Sequence, residues 1–125
     1  MHAAPKVLLP FEIVLFAAAS LVHAGILAHG LEHVRAATAE GVIASVLVLG
    51  LIACLVFRGR ARTIALAAQG FALLGTLVGA LTIALGVGPQ TRADHVFHGV
   101  LLVVLIGGLV FTARAGASAS PPAPS

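Results

Sequence analysis

Four long apolar runs, each separated from the next by only a few polar residues, restrict what this chain can become. They extend from about Phe11 to Val34, Gly41 to Phe57, Ile64 to Gly88 and Arg92 to Ala113. A helix needs roughly 20 apolar residues to cross the hydrocarbon of a bilayer, and these runs have that length or come close to it. Inside hydrocarbon every backbone N–H and C=O must be satisfied within the segment, so the runs are predicted to be helices. The connections "RAATAE", "RGRAR" and "PQT" are short and force consecutive helices to lie antiparallel. The expected fold is therefore all-α, an integral membrane four-helix bundle running up-down-up-down. Residues 1–114 form that domain, and the Ala/Ser/Pro-rich residues 115–125 are expected to be a disordered tail.

Composition excludes the soluble classes. The chain has 125 residues, of which 60% are hydrophobic and 9% charged, against about 25% charged in a soluble domain. The bilayer is the expected partner, with a homodimer or a larger membrane complex open as further assembly. The bases are scattered and no soluble domain presents them, so no nucleic-acid partner is expected. Cys54 is the single cysteine, which rules out a disulfide within the chain. Lys6, the apolar run after it and "VHA" imitate a secretory leader. Glu12 at the head of that run, and its continuation past Ala24, favour a retained membrane helix.

The bases also orient the bundle. With the N-terminus inside, Lys6, Arg58, Arg60, Arg62 and Arg114 fall on the inner side, and only Arg35 and Arg92 on the outer. The positive-inside bias predicts that both termini are cytoplasmic, in a bacterial-type inner (cytoplasmic) membrane.

Two clusters interrupt the apolar pattern: "HGLEH" at residues 29–33 and "DHVFH" at residues 94–98. The first is expected to end helix 1 and the second to begin helix 4, which places both at the outer face. At about 100° per residue, His29 and His33 project within about 40° of each other, as do Asp94 and His98, with His95 about 60° from His98. Each cluster then forms an i,i+4 chelating pair on one helix, with Glu32 as a further ligand or as a hydrogen-bond partner of the ligands. Imidazoles mixed with carboxylates suit Cu, Zn or Fe better than hard cations. The competing reading is structural: "TRAD" is a capping box in which Asp94 serves Thr91.

Haem b is the variant of the metal reading. His29–Gly30 and His98–Gly99 are similar to the arrangement in membrane di-haem cytochromes b, where each of two helices supplies one histidine. That similarity implies Arg35 and Arg92 as propionate partners. Against membrane di-iron hydroxylases, only "HGLEH" matches the expected boxes. His23, read as lying near the middle of helix 1, is an ionisable group at membrane depth. It is expected to act as a proton relay or second site, or to hydrogen-bond to Ser45 or Thr76. "GTLVG", with Gly75 and Gly79, is expected to serve close helix packing.

The sequence thus points to a metal- or haem-binding membrane protein acting in redox chemistry, metal handling or sensing. The alternatives are a structural subunit of a larger complex and a small proton-coupled transporter. No nucleophile–base pair or phosphate loop can be read, so catalysis is not inferred.

Overall fold

The computed structural model describes residues 3–117. It contains four helices, each long and apolar enough to cross a membrane: α1 (Ala3–His23), α2 (Val34–Val56), α3 (Ala61–Ala84) and α4 (Arg92–Ala117), with a short 3-10 turn at Arg58–Arg60. They form an up-down-up-down bundle in which each helix packs on its sequence neighbours and α4 closes back against α1. The chain is an integral membrane four-helix protein. One end of the bundle carries the α1–α2 and α3–α4 connections. The other carries Arg58, Arg60 and Arg62.

The helix limits differ from those expected, for identifiable reasons. α1 stops at His23, eleven residues before the predicted end at Val34. Gly25, at φ 75°, takes the left-handed conformation that ends helices. Gly25 N–H donates to Val22 O at 3.0 Å and Ile26 N–H to Leu21 O at 2.9 Å, the paired bonds of a Schellman cap. The same motif ends α3 four residues earlier than Gly88: Gly86 N–H donates to Ile83 O and Val87 N–H to Thr82 O. α2 starts at Val34 rather than Gly41 because "RAATAE" joins the helix, as its three alanines favour. α1 also reaches back to Ala3 and includes Pro10, which lacks the N–H for one helical bond. α4 continues to Ala117, so the first residues of the expected tail are helical, and residues 118–125 lie outside the described part.

The core is a layer of Leu9, Phe16, Leu47, Leu101, Leu105 and several alanines. The alanines and glycines set the helix spacing. A Cβ at Gly50 of α2 would lie 2.7 Å from the Cβ of Ala68 on α3. Within "GTLVG", a Cβ at Gly75 would meet Ile43 of α2 at 2.8 Å, and one at Gly79 would meet His98 of α4 at 3.2 Å. Both glycines thus face other helices of the same bundle. Replacing both by Ile should lower the unfolding midpoint in a denaturing-detergent titration, by roughly 1–3 kcal/mol for each overpacked site. An unchanged midpoint would show that the helices separate there at no cost.

Candidate functional site

The buried stripe of α1 carries its polar residues in register. Glu12, Phe16, Ala19 and His23 are all buried at spacings of three and four residues, so they share one face. His23 is the last residue of α1 and is 4% exposed. Its ring lies between two carboxylates: Nδ1 is 2.7 Å from Glu40 Oε2 on α2 and Nε2 is 3.0 Å from Asp94 Oδ1 on α4. Neither Ser45 nor Thr76 reaches it. Their hydroxyls donate to Gly41 O and Ala72 O, within their own helices.

Asp94 has two tasks. Its Oδ2 accepts from Thr91 N–H and from the Thr91 hydroxyl, and Thr91 Oγ1 accepts in return from Asp94 N–H. This is the capping box read in "TRAD". It leaves Oδ1 for His23, so the structural reading and a place in the polar cluster are both realised. Glu40 is less completely satisfied. Oε2 faces His23, and Oε1 is buried without a partner. An unpartnered buried carboxylate oxygen is costly, which marks Glu40 as the open end of the cluster.

The two contacts of His23 require two protons shared among three groups. Either the imidazole carries both and faces two carboxylates, or one proton has moved onto a carboxyl group. The net charge is −1 in both cases. Movement of the proton along the Nδ1–Oε2 line therefore changes the number of buried charged groups from three to one without changing their net charge. Asp94, held by Thr91, is the fixed acceptor. Glu40 is the group free to exchange.

One of the two expected helical pairs is not formed. "HGLEH" lies in the loop after α1 instead of on a helix, so the predicted helical pairing of His29 with His33 does not exist. His29 has a side chain 91% exposed and lies 3.6 Å from Glu32 Oε1. Glu32 accepts from Gly30 N–H at 2.7 Å. Backbone N–H groups at Glu32 itself and at Gly30 hold its carboxyl below the usual carboxylate range. A depressed value stabilises the loop above the ordinary range, and the contribution is lost as pH falls through the lowered value.

His33 is the N-cap of α2, where Nδ1 accepts from Ala36 N–H at 3.2 Å. Its own N–H donates to the carbonyl of His23 at 2.8 Å, which closes the ends of the loop. His95 is exposed, with Nδ1 2.8 Å from Thr91 O, and His98 Nδ1 lies 2.8 Å from Asp94 O. Among the described residues, no group of three or more His, Cys, Asp or Glu side chains is arranged to hold a metal ion.

Beside the His23 cluster lies a cavity of about 530 Å³, lined by residues of all four helices. His33, Arg35, Glu40 and His98 supply its charged and ionisable lining, and Phe16 lies among its apolar walls. Two of the predicted ligands thus share a cavity, whereas His29 and His95 stay outside it. Further along α1, toward the arginine end, Glu12 accepts from Gln69 Nε2 at 2.9 Å. Eleven residues separate Glu12 from His23, about 16 Å along the axis, and buried Phe16 and Ala19 lie between them.

Glu40 was missed by sequence reading, having been placed in a linker. Helix-forming alanines on either side of it were the available signal. No protein-family model matches this chain, and no curated protein or solved structure matches it either.

Proposed function

We propose that this protein is a small proton-coupled membrane carrier in which His23 passes a proton to and from Glu40. The observation that carries this reading is the buried Glu40–His23–Asp94 chain, at 2.7 and 3.0 Å, beside a cavity lined by Glu40. Ionisable groups inside a membrane bundle are expensive, and chains of Asp, Glu and His serve as proton relays in pumps and transporters. The buried layer around Phe16, Leu101 and Leu105 separates the cluster from Glu12. A static water path would have to cross it. Coupled movement fits this arrangement better than an open pore.

Reconstitution into liposomes with an entrapped pH dye tests the proposal. Under an imposed pH gradient, with candidate organic cations and amines offered on one side, wild-type protein should move protons, and His23→Gln should lose most of that flux while keeping its helical content. Equal flux from both proteins, or none above empty liposomes, would overturn it. The arginine asymmetry supports an orientation with the histidine end outside. A reporter in "RGRAR" should then read cytoplasmic, and one in the 24–33 loop external. The reverse result would place proton uptake on the cytoplasmic side.

Transition-metal or haem b binding is the second reading. It is favoured by the shared cavity of His33, His98 and Glu40. Stoichiometric Cu, Zn or Fe on elemental analysis of the purified protein, or a Soret band, would put that reading first. Protein free of both would remove that reading.

A further inference from the structure

The cavity has more structure than a packing defect. Its volume, about 530 Å³, falls in the roughly 300–1,000 Å³ range of ligand pockets. Its walls are mostly apolar, with Ile43, Leu101 and Phe16 among them. Two of its polar residues, Glu40 and His98, offer acceptors. Glu40 has Oε1 without a partner. On His98, Nδ1 faces the Asp94 carbonyl. A carbonyl only accepts, so Nδ1 carries the hydrogen and Nε2 of the neutral ring is left with a lone pair. Gly79 leaves room for that nitrogen: a Cβ there would be 3.2 Å from it. The neighbouring cluster has one more carboxylate than His23 can neutralise. An apolar chamber with two acceptors and an excess negative charge at its polar side matches one ligand chemistry well.

We infer that the cavity binds an amphipathic primary amine, with the protonated nitrogen between Glu40 and His98 and the apolar body among Phe16, Ile43 and Leu101. The inference names the cargo class of the proposed carrier. It rests on that reading for turnover only, since binding is measurable at equilibrium. When a third proton sits on Glu40 Oε1, the oxygen without a partner, the cluster is neutral. That proton leaves to water as the ammonium group arrives, so one positive charge replaces another and both His23 contacts keep their protons. Protons and amine therefore compete, and affinity falls on acidification. The groups around Glu40 are His23 on α1 and Asp94 and His98 on α4, with His33 and Arg35 at the start of its own helix. α3 contributes no titratable group to the cavity. Arg35 is exposed, where solvent screens its charge.

The test uses the full-length protein in detergent micelles and monodansylcadaverine, a primary amine on an apolar fluorescent body. The same dye with its amine replaced by a methyl group is the control. The amine should bind saturably and the control much more weakly. Bonds to charged groups contribute about 1.5–3 kcal/mol, so Glu40→Gln should weaken amine binding by roughly 10–100-fold. His98→Phe should weaken it too, and it leaves the Glu40–His23–Asp94 chain intact. That variant decides the matter if Glu40→Gln fails to fold. Calorimetry in buffers of different ionisation enthalpy should show proton release on binding. Equal binding of both dyes, or wild-type affinity in both variants, would overturn the inference and leave an apolar chamber suited to a lipid chain. Amine binding without proton flux in liposomes would refute the carrier reading alone. Flux without amine preference would refute the amine alone.

Discussion

His23→Ala should destabilise the bundle by about 3–5 kcal/mol, the range seen when one member of a buried ionic group is removed. The imidazole is the only described partner of Glu40, and it takes one oxygen of Asp94. Both carboxylates are buried, at 6% and 5% exposure, on helices that meet through this ring. Without it two acceptors face each other across a small void. The measurement is the unfolding midpoint in a denaturing-detergent titration, compared with His23→Gln, which keeps a donor and should lose less. A loss below about 1 kcal/mol, the size of an exposed ion pair, would show that water already reaches the cluster. A large loss is expected whether or not the protein carries protons, which separates this prediction from the flux experiment.

Gly50→Ala should be the most disruptive single-methyl addition among the glycines between α2 and α3. The added carbon would stand 2.7 Å from the Cβ of Ala68. Neither atom can rotate away, so one helix backbone has to move. Overpacking of this kind costs about 1–3 kcal/mol. Gly75→Ala supplies the control. Its Cβ would meet Ile43 Cδ1 at 2.8 Å, but that methyl ends a flexible side chain beside the cavity and can turn into it. The first substitution should lower the unfolding midpoint clearly, and the second by much less. Equal effects would mean that α2 and α3 yield as rigid bodies, and that side-chain freedom at the contact is irrelevant.

Much of the candidate site could be read locally, but not its connections. Asp94 was recognisable as a cap because Thr91 and Asp94 stand three residues apart at the head of an apolar run. His23 stood out as an ionisable residue inside such a run. Gln69, an amide inside an apolar run, bonds between helices, to Glu12. The error lay in treating "HGLEH" as helical. Gly25, two residues past the end of α1, was a stop signal that a hydropathy scan of "AGILAHGLEH" passes over, because the residues around it are apolar. Once α1 ends at His23, His29 and His33 lose their common helical face. His23 moves from mid-helix to the end of α1, opposite the starts of α2 and α4. The same shift brings Glu40 out of a presumed linker and into contact with it.

The class of this protein, its four membrane-length helices and their antiparallel order were determined by the sequence alone, because hydrocarbon leaves an apolar segment no alternative to satisfying its own backbone. What only the tertiary structure decided is which polar groups meet. Glu12 and Gln69 are 57 residues apart, and His23 and Asp94 71 residues apart. Nothing in the local pattern of either partner specifies the other. Their pairing depends on the rotation and depth of each helix, which small-residue contacts such as Gly50–Ala68 set. It follows from burial, since a carboxylate or amide inside a bundle is stable there only beside whatever partner the packed helices bring within hydrogen-bond reach.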